Sequence, residues 1–332
     1  PYLPPELKAR LIGVWDNYGK KNTDADRNII KNKIPNAGGD LEILNAAYKL
    51  NSGFGKYKED FTSWRIYPNI EVTDNVITTN GNFNSTWFIY KHSSESKINE
   101  MNIKVSGIPK GGKILYFYIS DETANLPIAY TIPKDGIYHL PESKINNNRV
   151  SVGFTVESRY DWNNIRIEQI PSFEGAFVTD GIDDLITSTK TVQEMGITDE
   201  ITVVSMIHKI SSDNNWTNLI GELKEDHTFV ANRATNTDKT GIYGYTYNYV
   251  GDAIVINNIL GDKNDYIVRT STSLGLDNKY YVTGFRSAGI IQNISQVAWY
   301  WTIIANKVLT TDQINQVIAY FNLDKTLKPD IY

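Results

Sequence analysis

The chain has 332 residues, a net charge of -5 and no cysteine, which excludes disulfides, thiolate metal sites and cysteine nucleophiles. Its lysines and arginines are scattered singly, so there is no basic stripe to neutralise a nucleic-acid backbone, and we expect no nucleic-acid partner. No apolar run approaches the roughly 20 residues that a membrane-spanning helix needs, so we expect no membrane insertion.

The composition predicts a mainly β protein made of one large domain or two medium ones. There are 21 Tyr and 23 Gly residues, and Asn, Thr and Ile are abundant, which is typical of strands joined by polar turns. The chain opens with Pro-Tyr-Leu-Pro-Pro and no initiator Met. We interpret it as a piece of a longer polypeptide.

The first fifty residues predict two strands and one short helix. Residues 11–15 are apolar and β-prone, and we predict a strand there. A short helix is predicted to begin at Thr23, which is followed by two carboxylates in the first turn, and to end before Pro35. Residues 36–40 then predict a turn, and residues 41–44 a strand.

The block from residue 54 to residue 170 reads as short, evenly spaced strands. They are separated by turns of the Asn-Gly, Lys-Gly-Gly and Lys-Asp-Gly type. This block has the size and spacing of an independent antiparallel sandwich. Its clearest predicted strands are residues 87–90, 103–105, 114–119, 150–156 and 165–170.

The stretch Phe173–Ile186 predicts a strand, an acidic turn at 179–184 and a second strand. The turn contains Asp180-Gly181, a pair that adopts the left-handed backbone conformation at low energetic cost. Further predicted strands are residues 201–207, 217–220, 228–230, 243–249, 253–256, 266–269, 280–285 and 298–305. A closing helix is predicted from about Thr311 to Asn322, because apolar residues repeat there at i, i+3, i+4 and i+7. Thr310 and Gln313 form a candidate capping box.

Two stretches of this sequence carry a resemblance. One is the turn Thr-Asp-Gly-Ile-Asp-Asp-Leu at 179–185, and the other runs from a last strand at 299–305 through Asn-Lys-Val-Leu-Thr at 306–310 into a short helix. Together they resemble the concanavalin A-like lectin and glucanase superfamily, in its laminin-G-like jelly-roll branch. Its members commonly show a Phe-Asp-Gly-x-x-Asp-Tyr-type turn, whose usual first aromatic is replaced here by Val178.

The resemblance implies a lectin-like antiparallel β-sandwich, a jelly roll, with a short C-terminal helix. Residues 34–45 are similar to the turn that normally follows the family's first strand. We therefore expect a discontinuous sandwich with a second β-sandwich inserted in it. The expected divisions are an N-terminal extension 1–10, the lectin-like sandwich 11–50 and 171–323, the inserted sandwich 54–170 and a C-terminal tail 324–332.

The whole arrangement, beginning Leu-Ile-Gly-Val-Trp-Asp-Asn-Tyr-Gly-Lys at residues 11–20, also resembles virion appendage proteins of tailed bacteriophages of gut bacteria, including the crAss-like group. This resemblance implies a non-enzymatic structural protein of a fibre or appendage, located in the extracellular virion. Its partners would be other virion subunits, in a homo-oligomer, with host surface polysaccharide as a further partner. The alternatives are a secreted or surface carbohydrate-binding module of a gut bacterium and a polysaccharide-degrading enzyme.

Catalytic signatures are missing from the sequence. Endo-glucanases of the superfamily carry Glu-x-Asp-x-x-Glu on one strand, which places both glutamates on one face. The acidic clusters at 58–60 and 222–226 do not have that spacing. No Gly-x-Ser-x-Gly elbow or phosphate-binding glycine loop occurs, although a Ser-His-Asp set brought together by folding stays open. The histidines, none at a zinc-site spacing, are His92, His139, His208 and His227.

The acidic turn is a candidate metal site. Asp180, Asp183 and Asp184 could supply oxygen ligands to a structural Ca²⁺. Aspartates at a tight turn equally often cap backbone N–H groups, so both interpretations stay open. We expect no other cofactor.

Aromatic residues are the candidate glycan-binding groups. Tyr243, Tyr245, Tyr247 and Tyr249 alternate along one predicted strand, so their rings would project from one face. Such rings are used as stacking platforms for sugars, and a tyrosine-rich wall at a subunit contact is the alternative. A second candidate is the loop that contains Tyr160 and Trp162.

Overall fold

The structure is a computed structural model that describes residues 1–35, 37–81, 87–157, 160–191, 193–196, 200–211, 216–222, 230–234, 240–242, 247–250, 253–259, 279–282, 285–287, 290–292 and 296–323. The chain divides into two compact units. Residues 1–55 and 173–332 form the first, called here the split unit, and residues 56–172 form the second, called the inserted unit.

Nearly all of the regular elements are strands. Before the inserted unit they are α1 Pro5–Lys8, β1 Leu11–Asp16, β2 Ile29–Ile30, β3 Leu41–Leu44 and β4 Gly53–Phe54. The inserted unit contains the 3-10 helix Phe61–Ser63, β5 Arg65–Ile66, β6 Ile70–Val72, β7 Val76–Thr79, β8 Trp87–His92, β9 Met101–Ser106, β10 Ile114–Tyr118, β11 Ile128–Ile132, β12 Gly136–Leu140, β13 Ser151–Val156 and β14 Arg166–Gln169.

The split unit then resumes with more strands and a final helix. They are β15 Phe177–Val178, β16 Leu185–Thr191, β17 Glu200–Ser211, β18 Trp216–Glu222, β19 Val230–Ala234, β20 Thr240–Ile242, β21 Tyr247–Val250, β22 Ala253–Ile259, β23 Lys279–Val282, β24 Phe285–Ser287, β25 Ile290–Gln292, β26 Gln296–Ala305 and α2 Thr311–Phe321. The prediction of a mainly β fold with antiparallel sheets and a short C-terminal helix is confirmed.

Two large sheets build most of the split unit, and β24 and β25 pair as a separate two-stranded sheet. Sheet 1 has the order β21-β22-β17-β26-β15-β4, with β1 also paired to β26, and sheet 2 has the order β2-β3-β16-β23-β18-β19-β20. One buried cluster combines side chains of both sheets, including Trp15, Phe177 and Trp299 from sheet 1 and Ile43 and Ile186 from sheet 2. The two sheets therefore enclose a common core, as in a β-sandwich.

Strands far apart in sequence pair within these sheets. In sheet 2, Leu44 lies opposite Leu185 and Leu41 opposite Ser188. In sheet 1, strand β1 pairs with the last strand, β26. The N-terminal 55 residues therefore contribute β1 and β4 to sheet 1 and β2 and β3 to sheet 2, and the other strands of both sheets follow residue 173.

The C-terminal helix covers the other face of sheet 1. Its buried side chains Ile314, Val317 and Ile318 share a cluster with Val204 and Tyr300 of sheet 1. The predicted capping box is present. The Thr310 hydroxyl accepts from the Gln313 N–H at 3.3 Å, and the Gln313 side chain accepts from the Thr310 N–H at 2.9 Å.

Replacing Thr310 by alanine is expected to destabilise this helix by about 1 kcal/mol, because one N-terminal N–H loses its side-chain acceptor. Hydrogen exchange of the amides of residues 313–321 measures the change. Thr311→Ala is the matched control, since Thr311 is exposed in the first helical turn and alanine has the higher helix propensity. Equal exchange in the two variants would contradict the prediction.

The inserted unit is a second pair of sheets. Sheet 3 has the order β11-β10-β13-β8-β5, and sheet 4 has the order β12-β9-β14-β7-β6. Phe88, Tyr116 and Phe154 of sheet 3 share one buried cluster with Ile103 and Ile167 of sheet 4. This unit therefore has a hydrophobic core of its own.

The helix predicted to begin at Thr23 is wrong. Residues 23–28 form turns, and β2 follows as a short strand paired with β3. The Asp24 carboxylate accepts from the N–H of Lys21, which precedes it in the chain, instead of capping a helix that follows. Strand pairing and turn hydrogen bonds thus override the local helix-start signal.

Several predicted strands fall wholly or partly outside the described residues. These are residues 266–269, residues 228–229, residues 243–246 and residues 283–284, and the predicted C-terminal tail 324–332 also lies outside the described residues. Among the helices of the described part, none is both long enough and apolar enough to span a membrane.

Candidate functional site

The acidic turn joins β15 of sheet 1 to β16 of sheet 2. Its first residue, Thr179, is buried and exchanges two hydrogen bonds with Val297 of β26: the Thr179 N–H donates to the Val297 carbonyl, and the Val297 N–H donates to the Thr179 hydroxyl, both at 3.0 Å. Gly181 has φ of +80°, a left-handed conformation that glycine adopts without strain. The local sequence thus fixes a tight turn at the end of the sandwich.

Two of the three aspartates act as hydrogen-bond acceptors in this turn. Asp180 accepts from the N–H of Ile182 at 2.7 Å. Asp184, which is completely buried, accepts from the N–H of Asp180 at 2.8 Å and from the hydroxyl of Ser52 at 3.0 Å. Both carboxylates therefore stabilise the turn, as expected for aspartate at such positions.

The structure also brings the predicted metal ligands together. One carboxylate oxygen from each of Asp180, Asp183 and Asp184 lies within 4.8 Å of the others. Carboxylate oxygens are the ligands that Ca²⁺ prefers, so the residue types fit such an ion. Because Asp180 and Asp184 already accept hydrogen bonds, the geometry suits a turn cap equally well, and the calcium site stays a prediction.

Burial dominates the electrostatics of this turn. The pKa of Asp184 is raised to about 6, chiefly by burial and also by the negative charges of Asp180 and Asp183, while the donors on Asp180 and Ser52 lower it. Asp184 is therefore a carboxyl group that takes up a proton more readily in the folded protein than in the unfolded chain.

The loop with Tyr160 and Trp162 lies in the inserted unit. Tyr160 is partly exposed, but Trp162 is only 1% exposed and belongs to the buried core. Its indole N–H donates to the Glu157 carbonyl at 2.7 Å. A sugar stacks on an exposed ring face, so Trp162 is a core residue and not an open platform.

The tyrosine-rich strand is described only in part. Tyr243 and Tyr245 lie outside the described residues. Tyr247 and Tyr249 lie in β21, opposite Ile256 and Ile254 of β22. The shared face expected of the four rings stays a prediction.

The acidic cluster at 58–60 has a structural role. Glu59 is buried and forms an ion pair with Lys91 at 2.9 Å, and Asp60 caps the 3-10 helix by accepting from the N–H of Thr62 at 3.0 Å. Of the other cluster, residues 223–226 lie outside the described part, as does His227.

Neither a protein-family profile nor a curated protein sequence matches the chain. Among solved structures, a mutant of Trypanosoma rangeli sialidase displaying trans-sialidase activity is similar with 10% identity, 97% coverage of this chain, 34% coverage of that chain and a TM-score of 0.22. The T. rangeli sialidase in complex with sialic acid has the same identity and coverages and a TM-score of 0.19. A protein of Parabacteroides distasonis is 9% identical, with coverages of 89% and 98% and a TM-score of 0.17.

The chain spans about a third of the length of the sialidases that it matches. At these TM-scores the likenesses carry no argument about its activity.

Proposed function

We propose that this chain is a non-enzymatic structural subunit of a tailed-phage fibre or appendage, and that it attaches weakly to glycans on the host surface. The phage assignment is supported by the sequence resemblance of residues 11–20 and of the overall arrangement. The non-enzymatic assignment is supported by the structural roles of three of the described carboxylates.

The main support for a non-enzymatic role is that the carboxylates of Glu59, Asp60 and Asp184 hold the fold together through hydrogen bonds. Most glycosidases use two carboxyl groups that flank the scissile bond in an accessible cleft. Glu59 and Asp184 are buried, and all three carboxylates accept hydrogen bonds from neighbouring residues. This use is consistent with scaffolding, whereas the fold alone is compatible with binding, catalysis and scaffolding alike.

Assembly would compensate for weak attachment. When several copies are presented together, a second binding event becomes intramolecular, so the overall affinity exceeds that of a single site. A fibre subunit with modest affinity for a sugar could therefore hold a particle on a host surface. The chain would act in the extracellular virion, next to other virion subunits.

The experiment is light scattering coupled to size-exclusion chromatography, together with binding and hydrolysis assays on a polysaccharide panel. We expect a homo-oligomer that binds without turnover. A monomer that binds glycans would favour the carbohydrate-binding module of a gut bacterium. Sustained release of reducing ends, abolished in Glu225→Gln, would establish a polysaccharide-degrading enzyme and overturn the proposal.

A further inference from the structure

The outer face of sheet 3, in the inserted unit, carries a cluster of aromatic rings. Trp87, Tyr90 and Phe117 are all partly exposed, and they lie outside the buried cluster of this unit. The ring centroids of Trp87 and Phe117 are 5.5 Å apart, and those of Trp87 and Tyr90 are 5.8 Å apart. His92 and Tyr67 extend the cluster, with centroids 5.5 Å and 6.0 Å from Tyr90. We call these five residues the aromatic face.

Strand register shows how these rings come together. Gly153 of β13 lies between Tyr90 of β8 and Phe117 of β10 in one cross-strand row. A Cβ atom at Gly153 would lie 2.5 Å from the carbonyl oxygen of Ile89, and its φ is +136°, so the position requires glycine. Gly153 is buried, so the neighbouring rings cover the backbone at this position and form one continuous aromatic surface.

A β-bulge places Trp87 on the same face as Tyr90. Residues three apart normally point to opposite faces of a strand. Here the register shifts, so that Ile89 lies opposite Phe154 and Trp87 opposite Thr155, which leaves Phe88 as the additional residue. Phe88 and Ile89 are both completely buried. Bulges of this kind redirect side chains, and this one adds a third ring to the aromatic face.

The opposite sheet of the same unit shows that such a surface is not needed for folding. Register places charged and polar side chains on the outer face of sheet 4, among them Lys104, Arg166 and Glu168. An antiparallel sheet needs only one apolar face, and the other is ordinarily solvated. The exposed aromatic residues on sheet 3 therefore indicate a surface that binds a ligand or partner.

Charge indicates what kind of ligand fits. The described charged groups at the margins of the aromatic face are paired, Arg65 with Glu95 at 2.8 Å and Lys113 with Glu157 at 3.7 Å. Thr155, opposite Trp87, is only 6% exposed, so the polar groups of this surface are those of the rings themselves, among them the Trp87 indole N–H and the Tyr90 hydroxyl. A neutral surface of such rings is complementary to an uncharged ligand that has both C–H faces and hydroxyl groups.

We propose that the aromatic face binds a neutral glycan, with the C–H faces of successive pyranose rings stacked on Trp87, Phe117 and Tyr90. The proposal rests on the glycan attachment proposed above and assigns it to the inserted unit. Aromatic rings supply a large contact area, and the polar edges of Tyr and Trp donate hydrogen bonds.

The test is affinity electrophoresis of the full chain in gels that contain neutral glucans, mannans or galactans, or an acidic uronic-acid polymer. We expect retardation in at least one neutral gel. Trp87→Ala and Phe117→Ala should each weaken binding by at least about tenfold, since anchoring aromatic residues dominate such contacts. Ile137→Ala is the matched control, because Ile137 is 69% exposed on β12 of sheet 4, and it should bind as the unaltered chain does.

Each contrary result has a separate meaning. Binding that survives in both variants would overturn the aromatic face as the site but leave glycan attachment standing. An intact chain that binds only the acidic polymer, or no glycan, would overturn the neutral-glycan assignment, while the oligomer measurement would still test the virion role. An oligomer that dissociates in Trp87→Ala would identify the face as a subunit contact and overturn the proposal. Thermal melting of each variant checks that it is folded.

Discussion

Replacing Glu59 by glutamine is expected to lower the free energy of unfolding of the inserted unit by about 3–5 kcal/mol, because it leaves the buried Lys91 ammonium group without its counter-charge. The two side chains are 4% and 12% exposed, and the ion pair measures 2.9 Å. The Glu59 carboxylate also accepts from the backbone N–H and the side-chain amide of Asn99, at 2.7 and 2.9 Å. The carboxylate therefore connects the chain before β5, strand β8 and the loop before β9.

Hydrogen exchange of the β8 and β9 amides in the full chain measures this loss locally, which avoids assuming that both units unfold together. Arg166→Met is the control, because the Arg166–Glu168 pair is 47% and 40% exposed and such surface pairs contribute no more than about 1 kcal/mol. Adding Lys91→Met to Glu59→Gln should recover part of the loss, since the unpaired charge is removed. Unchanged protection in Glu59→Gln would contradict the structural role of the carboxylate.

The second large effect is a dependence of stability on pH that originates at Asp184. Its pKa rises from 3.8 in the unfolded reference to about 6 in the folded protein, so the folded state holds more protons between these two values. The free energy of unfolding therefore falls as pH rises from about 4 to about 6. The loss amounts to at most about 3 kcal/mol, at 1.36 kcal/mol for each unit of pKa shift.

Asp184→Asn should remove this slope, because asparagine does not titrate. The variant loses a hydrogen-bond acceptor at every pH, so its absolute stability is not informative. The quantity to measure is the difference in free energy of unfolding between the variant and the unaltered chain, at pH 4 and at pH 7. Asp183→Asn is the matched control, since Asp183 is exposed in the same turn. Its charge is the smallest of the causes that raise the pKa of Asp184, so this variant should keep most of the slope. A parallel pH dependence for Asp184→Asn and the unaltered chain would contradict the assignment.

The same titration separates a turn cap from a calcium site. A bound Ca²⁺ would stabilise the ionised carboxylates, which would lower the pKa of Asp184 and flatten the slope. Because Asp180 and Asp184 already accept hydrogen bonds, we expect the same slope and the same melting temperature in chelator and in millimolar Ca²⁺. A flatter slope and a higher melting temperature in Ca²⁺ would establish the metal site.

Local sequence patterns predicted the elements whose signals are themselves local. The apolar repeat at Ile314, Val317 and Ile318 and the cap at Thr310 predicted α2 almost to its ends, and alternation predicted the strands around Phe154. The helix predicted at Thr23 failed because the Asp24 carboxylate accepts a turn hydrogen bond from Lys21 and the Asp26 carboxylate pairs with Lys20, and because β2 pairs with β3. A capping signal does not show which neighbour a side chain will meet.

The candidate sites also divide into features that local sequence determines and features that depend on the tertiary structure. The sequence by itself determined that Asp180, Asp183 and Asp184 share one tight turn, because neighbours in a turn are close whatever the fold. Only the tertiary structure decided that Asp184 is buried against Ser52, that Trp162 is a core residue, and that Trp87, Tyr90 and Phe117 meet across Gly153. Burial and cross-strand register depend on which distant segments pair, and a bulge of one residue reverses the face that a side chain occupies.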